Sequence, residues 1–500
     1  MAGYELMRKF DAVILGASGF TGKYVLREWL RCTQEDSQRH RGLTLAVAGR
    51  SRSKLEAALL WAGHSGGSHR RSDDDPDVSI IDNADATDAA SLGHLCRSTR
   101  VLLNCVGPCN QYGEAVVAAC VEAGTHYVDI SGEAEFMERI EAKFHDAALA
   151  AKVLVVSACA AVSIVSDVGL VHHLRCWPPS TAPSSVFAYA RIHSFASNHV
   201  TSAETGILAL ANADALARFR RSLPRRPPLK IPGPSPPIEL DSCIHYEKKL
   251  GYWAAALPIC DRSVVRRTFW ALHGHPRGLP VLNAASIQDQ ENFDKAWQMV
   301  RPVHFRLFLA IRTLRWAVLF SWATRILKTL SRHAFGLNLL LKYPHIFTIG
   351  AFTRQGPTEK QVEEGSFEMW FVGKGYQKDL DGGVKAKKVV TRVKGPEPCY
   401  TMSAIGIVQC ALLCLHSRDL LPVGGVLTTA SAFGGANIQE SLEGRGLLFQ
   451  HINTTSKENN EPEYEDSLIT LKPWIVFALP IILGIAIVIV CTFVLSITIF

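Results

Sequence analysis

Residues 10–25 read FDAVILGASGFTGKYV, and the fold of the N-terminal part can be inferred from this segment. An apolar run that ends at Leu15 meets a glycine-rich turn, and apolar residues at helical spacing follow at once, which predicts a strand, a turn and a helix. Gly16 permits a tight turn, Gly19 lets the backbone approach a pyrophosphate, and Gly22 lets the helix pack on the strand. We therefore predict a dinucleotide site whose contacts are Gly16, Ala17, Ser18, Gly19, Phe20, Thr21 and Gly22.

The end of the next strand bears on which dinucleotide binds. The glycine spacing GxxGxxG is the variant usual in extended Rossmann folds of the NADP type, and the buried strand 43–48 ends in Gly49, Arg50 and Ser51. An NAD enzyme usually places a carboxylate there for the ribose 2′-OH, whereas a guanidinium pairs bidentately with a 2′-phosphate. We predict NADP(H), with Arg50 and Ser51 as contacts. The alternative is that these residues form the solvated start of a helix.

A later strand, 101–106, runs into a Gly-Pro turn. Strand ends near the centre of a doubly wound sheet line the crevice in which the nicotinamide lies. Asn104, Gly107 and Pro108 are therefore predicted cofactor contacts.

The strand that follows ends in polar residues. Asp129, Ser131 and Glu133 are candidates for orienting the cofactor or for proton transfer. The alternative is structural, with Ser131 capping the helix 134–150 and Glu133 near its positive end.

Several of these motifs follow one another at matching intervals: GASGFTG, AVAGRS, NCVGP, YGEAVVAAC and HYVDISGE. In this combination the chain resembles the saccharopine dehydrogenase-like oxidoreductases, which are close to saccharopine reductases and bacterial trans-acting enoyl reductases. Later motifs, such as SVVRRT at 263–268 and LPVGGV at 421–426, extend the resemblance over residues 10–450. It implies a Rossmann domain, a second domain and hydride transfer.

Two departures from the family pattern fall on the substrate side of the crevice. Where relatives tend to read GFDSIP, this chain reads AAVSIVSD at 160–167, so that Val162 replaces a carboxylate. A Gly-Thr step of the family reads Glu204-Thr205. Cofactor binding is compatible with both changes, but catalysis need not survive them. The candidate proton donors or orienters are Tyr112, Ser163 and Asp167.

The 500 residues exceed one domain, and the patterns predict an α/β fold with a Rossmann-type doubly wound parallel sheet and a second α+β mixed-sheet domain. The Rossmann domain spans 8–160, and 161–395 is of the substrate-binding or dimerisation type, which makes a homodimer a candidate assembly. Residues 396–450 return to the first domain. A polar tether, 451–473, precedes a transmembrane tail anchor at 474–500.

Three segments carry further expectations. Residues 222–238 contain seven prolines and predict an extended linker or draped loop. Residues 305–330 are rich in apolar and basic side chains and predict an amphipathic helix in a membrane interface, or alternatively a helix packed on the second domain. Residues 474–500 carry no charge and would span about 40 Å as a helix, enough to cross a bilayer.

This arrangement predicts a cytosol-facing body anchored in the endoplasmic reticulum, a lipid droplet or the mitochondrial outer membrane. No signal peptide is expected, because glycines soon interrupt the first apolar run. The net charge of +7 is diffuse, so nucleic acid is not an expected partner. The thirteen cysteines include no CxxC pair, and neither metal nor disulfide chemistry is expected.

Two functions remain open from the sequence. The first is a membrane-associated NADP(H)-dependent oxidoreductase that acts on an apolar or lipid-like carbonyl, imine or enoyl substrate. The second is a dinucleotide-binding scaffold at a membrane or lipid-droplet surface with little or no catalysis.

Overall fold

The computed structural model describes residues 8–36, 38–40, 42–64, 78–193, 198–236, 244–281, 291, 294, 297–348, 350–378 and 384–452. Strands and helices alternate through the first part, which is the pattern of parallel α/β units. Its elements are β1 (Phe10–Leu15), α1 (Phe20–Glu35), β2 (Leu45–Ala48), α2 (Arg52–His64), β3 (Val78–Ile81), α3 (Ala89–Arg97), β4 (Thr99–Asn104), α4 (Cys109–Ala123), β5 (His126–Asp129), α5 (Ala134–Ala150) and β6 (Leu154–Val156).

The remaining elements build a second sheet and the helices around it. They are α6 (Ala161–Arg175), β7 (Thr181–Ile192), β8 (Asn198–His199), α7 (Val200–Ala211), α8 (Ala213–Ser222), β9 (His245–Glu247), β10 (Tyr252–Ala256), α9 (Asp261–His273), β11 (His304–Ile311), α10 (Leu314–Ser331), α11 (Ala334–Lys342), α12 (Pro344–Phe347), β12 (Phe352–Thr353), α13 (Glu359–Glu363), β13 (Ser366–Lys378), β14 (Val384–Pro396), α14 (Thr401–His416), a 3-10 turn (Arg418–Leu420), β15 (Gly425–Leu427), α15 (Thr429–Phe433), α16 (Ile438–Glu443) and β16 (Leu448–His451).

The first sheet has the order β15-β6-β5-β4-β1-β2-β3, and every pairing in it is parallel. Apart from β15, this is the 3-2-1-4-5-6 order of dinucleotide-binding domains. The second sheet, β16-β14-β13-β7-β11-β10-β9, is mixed because β7 and β11 pair in parallel and the other neighbours antiparallel. The predicted α/β class with a parallel Rossmann-like sheet and a second mixed sheet is confirmed.

Helix α14 fills the centre of the molecule. Every residue from Met402 to Leu415 is buried, and the helix packs on α1 and on strands β4 and β5. A helix that is apolar all round belongs in a core, as its sequence indicates. Gly406 is needed for the close approach, since a Cβ there would lie 2.3 Å from the Cys159 carbonyl oxygen.

The segment 396–450 supplies strands to both sheets. Strand β15 pairs with β6 in the first sheet, and β16, which ends at His451, pairs with β14 in the second. The sequence predicts that this segment returns to the first domain. Strand β15 does so, and β16 joins the same segment to the second sheet as well.

The prediction of one amphipathic helix over 305–330 is wrong for its first residues. They form β11, which pairs in parallel with β7, and the helix α10 begins only at Leu314. Phe305 and Leu307 face the main core, while Phe308 and Ala310 face the opposite side of the sheet. A strand buried on both faces reads as a continuous apolar run, which periodicity alone does not distinguish from a helix.

Two other predicted segments lie partly or wholly outside the described residues. Residues 223–236 of the proline-rich stretch contain no helix or strand and lie across the molecule, with Arg226 bound to Glu141 at 2.7 Å.

The predicted anchor at 474–500 lies outside the described residues. Within the part of the chain that is described, no helix is both long and apolar enough to cross a bilayer.

Candidate cofactor and active site

The turn between β1 and α1 requires its glycines. Gly16 has a φ of +83°, a left-handed conformation that side chains other than glycine rarely adopt. Its carbonyl oxygen accepts the Gly19 N–H at 2.9 Å, and a Cβ on Gly22 would lie 2.2 Å from that same oxygen. Helix α1 therefore begins pressed against the end of β1.

This geometry fits the pyrophosphate of a dinucleotide. The first amides of a helix have no partner within the helix, and they point out of its positive end. Gly19 is the N-cap, no side chain caps the helix, and its first turn has no acidic residue. Ser18 and Gly19 are exposed, so a phosphate can reach the turn.

Phe20 connects this turn to the second part of the molecule. Its ring lies 5.1 Å from His199 and 4.8 Å from Tyr400, measured between ring centroids. The Tyr400 hydroxyl accepts the His199 N–H at 2.7 Å. The Phe20 side chain thus anchors the turn, while its backbone stays at the helix N-terminus.

Arg50 lies at the end of β2 with its side chain exposed. The neighbouring Arg52 is engaged on the protein, since it bonds to Glu56 at 3.0 Å and lies 3.8 Å from Asp82. Of these two arginines, Arg50 is therefore better placed for a 2′-phosphate. The Ser51 hydroxyl lies 3.1 Å from that of Ser53, at the start of α2.

Asn104 shapes the loop at the end of β4. Its amide donates to the Tyr127 hydroxyl at 3.0 Å and its oxygen accepts the Val106 N–H at 3.0 Å. This holds Val106 against the glycine turn, where a Cβ on Gly16 would lie 2.9 Å from the valine side chain. Gly107 and Pro108 follow, joined by a cis peptide bond, and Gly107 is exposed. Asn104 itself is fully buried, so only the loop that it shapes is open to a ligand.

The carboxylates after β5 serve the fold. Asp129 accepts the Ser131 and Ala158 amides at 2.8 and 3.0 Å, and the Ser157 hydroxyl at 2.9 Å, which joins the ends of β5 and β6. Burial raises the pKa of Asp129, although these bonds oppose the shift.

Glu133 lies at the start of α5, where it is predicted, but its carboxylate binds the start of another helix. Its carboxylate accepts the Cys109 and Asn110 amides at 2.7 and 3.1 Å, at the start of α4 rather than α5. The predicted capping of α5 by Ser131 is wrong, because the Ser131 hydroxyl accepts the Glu133 N–H, and no side chain caps α5.

The three candidate catalytic residues occupy different surroundings. Asp167 is buried and accepts the Thr268 hydroxyl at 2.6 Å and the Ala430 amide at 2.8 Å, which ties α6 to α9 and α15. Ser163 is also buried, whereas Tyr112 is half-buried in the first turn of α4. The structure does not bring the three together through any bond among the described residues.

Ser163 bonds to a buried carboxylate, Asp261, that the sequence does not single out. Its hydroxyl donates to Asp261 at 3.5 Å and lies 3.3 Å from the Cys260 sulfur. Asp261 is fully buried, and its Oδ1 has no hydrogen-bond partner among the described residues. Burial raises its pKa to about 6. From sequence, an aspartate at the start of a helix simply indicates a helix N-terminus.

The ends of β4, β5 and β6 form an apolar edge beside the glycine turn. Residues 105–108, 130–133 and 157–164 contain no lysine or arginine. The described side chains that stay partly exposed in these ranges are all apolar: Cys105, Val106, Pro108, Ile130 and Val162. We call this set the apolar edge.

Comparison with known proteins identifies the family. Residues 12–156 match the saccharopine dehydrogenase NADP binding domain. A probable mitochondrial saccharopine dehydrogenase-like oxidoreductase of Arabidopsis thaliana is 40% identical over 455 residues, which cover 89% of this chain and 96% of that protein. The chain belongs to the saccharopine dehydrogenase-like oxidoreductase family. The family and the NADP(H) cofactor predicted from sequence are confirmed.

Other relatives of this saccharopine dehydrogenase-like chain widen the comparison. The human saccharopine dehydrogenase-like oxidoreductase is 32% identical, over 90% of this chain and 98% of its own. A protein of Caenorhabditis elegans named lipid droplet localized protein is 31% identical, over 89% and 98%. The trans-acting enoyl reductase of Mycobacterium ulcerans is a distant match, 35% identical over 33% of this chain and 36% of its own.

We expect Arg50→Ala to weaken NADPH binding roughly 10- to 100-fold and to leave NADH binding unchanged. A hydrogen bond to a charged group contributes about 1.5–3 kcal/mol, and only NADPH carries the 2′-phosphate. Isothermal titration with each cofactor measures the effect. Arg52→Ala is the matched control and should change either affinity less than about threefold, because Arg52 is engaged on the protein. Equal loss of both cofactors in Arg50→Ala would contradict this role.

We expect Asp261→Asn to stabilise the protein near neutral pH and not in acid. The ordinary pKa of the carboxyl is 3.8 and burial raises it to about 6. The folded state thus keeps a proton that the unfolded state has lost, and the free energy of unfolding falls as pH rises through this window, by about 3 kcal/mol.

Thermal unfolding of both proteins at about pH 4 and about pH 8 tests the Asp261 prediction. Asp261→Asn should melt at a higher temperature than the unmodified protein only at the higher pH. The control is the same change at Asp146, which is exposed. A shift of equal size at both pH values would show that the proton on Asp261 is not the cause.

Proposed function

We propose that the protein is a membrane-associated NADP(H)-dependent oxidoreductase that acts on an apolar or lipid-like carbonyl, imine or enoyl substrate. The nicotinamide supplies or accepts the hydride. The chain contributes binding, orientation and a polar group for the proton. NADP binding and family membership are the base from which this proposal starts.

The apolar edge is the observation that carries the substrate class. A substrate with several carboxylates, such as saccharopine, needs cationic partners, because a buried charge without one is costly. The strand-end loops beside the glycine turn contain no lysine or arginine, and Val162 is partly exposed among them. Apolar side chains there favour a substrate with a hydrocarbon body and one reactive double bond.

Tyr112 is the candidate that we assign to the proton. It is half-buried near the start of α4, directly after the exposed loop at Gly107. A phenol can donate both a hydrogen bond and a proton to a developing oxyanion. Ser163 and Asp167 lie buried, the latter fully committed to other elements, so we assign them positioning roles.

The membrane association is proposed from the C-terminal stretch. Residues 474–500 contain no charged side chain, and an acidic, polar tether precedes them. A tail anchor of this kind would hold the body on the cytosolic face of the endoplasmic reticulum, a lipid droplet or the mitochondrial outer membrane. Relatives named mitochondrial and lipid droplet localized support such a location.

A second function is favoured by one observation. The three catalytic candidates, Tyr112, Ser163 and Asp167, share no hydrogen bond among the described residues. A protein that binds NADP(H) at a lipid surface without turnover would not need them to act together. This scaffold is the alternative.

Oxidation of NADPH in detergent micelles separates the two functions. The substrates are a long-chain enal, a long-chain ketone and a long-chain imine, with saccharopine and NADP⁺ as the polar comparison. We expect turnover with at least one apolar substrate and none with saccharopine. Tight NADPH binding without turnover of any substrate would favour the scaffold, and absence of NADPH binding would defeat both functions.

We expect Tyr112→Phe to lower kcat at least about 100-fold while the affinity for NADPH stays unchanged, since a positioned acid contributes that much to the rate. Tyr246→Phe, in the second sheet, is the matched control and should keep full activity. A kcat within about threefold of the unmodified enzyme in Tyr112→Phe would remove the tyrosine from the mechanism.

A further inference from the structure

Exposed apolar side chains concentrate on three consecutive helices. We call α10, α11 and α12, residues 314–347, the helical cap. Phe335 is 81% exposed, Ile346 60% and Trp316 56%. Three more large apolar residues of the cap are also exposed: Leu319, Ile326 and Tyr343. Large exposed apolar side chains that are concentrated on one small part of a folded protein indicate an interaction surface.

These side chains are not required by the packing of the cap itself. The inner side of the cap is already packed, because Leu340 lies buried in one cluster with Ala203 and Ile207 of α7. On α10, Trp316, Leu319 and Ile326 recur at i, i+3 and i+10, so they lie along one side of the helix. The exposed side chains therefore form a second apolar side that no described element covers.

The charge of the helical cap is of one sign. Residues 314–347 contain five lysines and arginines and no aspartate or glutamate. Arg332 is paired within the protein, since it lies 3.4 Å from Asp214. Arg315, Lys328 and Lys342 are exposed beside the apolar side chains.

We propose that the helical cap docks on an anionic lipid surface. Apolar and aromatic side chains enter the boundary between headgroups and acyl chains, while lysines and arginines meet the lipid phosphates and carboxylates. This inference rests on the proposed membrane association and names the face and the lipid class involved. It adds a second contact, independent of residues 474–500.

The charge argues against a second copy of the chain as the occupant. In a twofold-symmetric dimer the same patch meets itself, so two caps without acidic residues would repel each other. The other occupant within the chain is its own apolar stretch 474–500. The following experiment distinguishes all three.

A photoreactive benzophenone amino acid placed at Phe335 of the full-length protein reports what the cap touches. The matched control carries it at Leu60 on α2, which is 61% exposed and far along the chain from the cap. Both proteins are irradiated on phosphatidylcholine vesicles with and without about 30% phosphatidylserine, and lipid adducts are measured by mass spectrometry.

The expected result is a lipid adduct at Phe335 at least about fivefold more abundant than at Leu60, and more abundant with phosphatidylserine than without it. Lys328→Glu combined with Lys342→Glu should remove the dependence on phosphatidylserine. Equal adducts at both positions would overturn the proposal. So would cross-links from position 335 to peptides of 474–500, or to a second copy.

The affinity for NADPH is measured for every variant as a check that it remains folded. This affinity must equal that of the unmodified protein. The outcome is also separable from the proposed function. A cap that forms no lipid adducts does not change the oxidation of NADPH in micelles. Conversely, a protein that oxidises no NADPH can still form lipid adducts through the cap.

Discussion

The structure depends on the contact between the end of β1 and the start of α1. The Gly16 carbonyl oxygen occupies the space where a side chain on Gly22 would begin, and a Cβ there would lie 2.2 Å from it. The helix therefore starts at the sheet edge, with its free amides directed at one point. From the same turn, Phe20 stacks on His199 and meets Tyr400 edge to face. One local constraint thus sets the cofactor site and its junction with the second part of the molecule.

Buried polar groups hold the rest of the site edge. Asp129 joins the ends of β5 and β6, Glu133 caps α4, and Asp167 joins α6 to α9 and α15. Each carboxylate is committed to backbone amides or hydroxyls, and burial raises the pKa of each. What these networks leave open toward the glycine turn is the apolar edge. Buried polar groups therefore hold these strand ends in place, and the side chains that stay partly exposed there are apolar.

Features determined by neighbouring residues could be read from the sequence. The glycine turn, the cationic end of β2 at Arg50 and the parallel sheet all follow from local spacing. Features that depend on distant partners could not be read. The surroundings of Asp261 are one example. Its carboxylate accepts a hydrogen bond from Ser163, which belongs to another helix, and the Ser163 hydroxyl also contacts the neighbouring Cys260. Glu133 was read as part of its own helix, but its amide partners lie 24 and 23 residues earlier in the chain.

The strand β11 is not predictable from the sequence for a related reason. It is buried on both faces, so its apolar side chains lack the alternation that indicates a strand, and only its pairing with β7 distinguishes it from a helix. The basic, apolar character of this region persists in α10 to α12. The predicted membrane contact therefore moves from 305–330 to the helical cap at 314–347, where it remains a proposal.

A structure of the full-length protein with NADPH bound would show directly whether the glycine turn and Arg50 form the cofactor site. We expect the pyrophosphate on the backbone amides of residues 19–22, the 2′-phosphate against Arg50 and the nicotinamide beside Val106 and Ile130. A cofactor bound away from the glycine turn, or a 2′-phosphate without contact to Arg50, would contradict it.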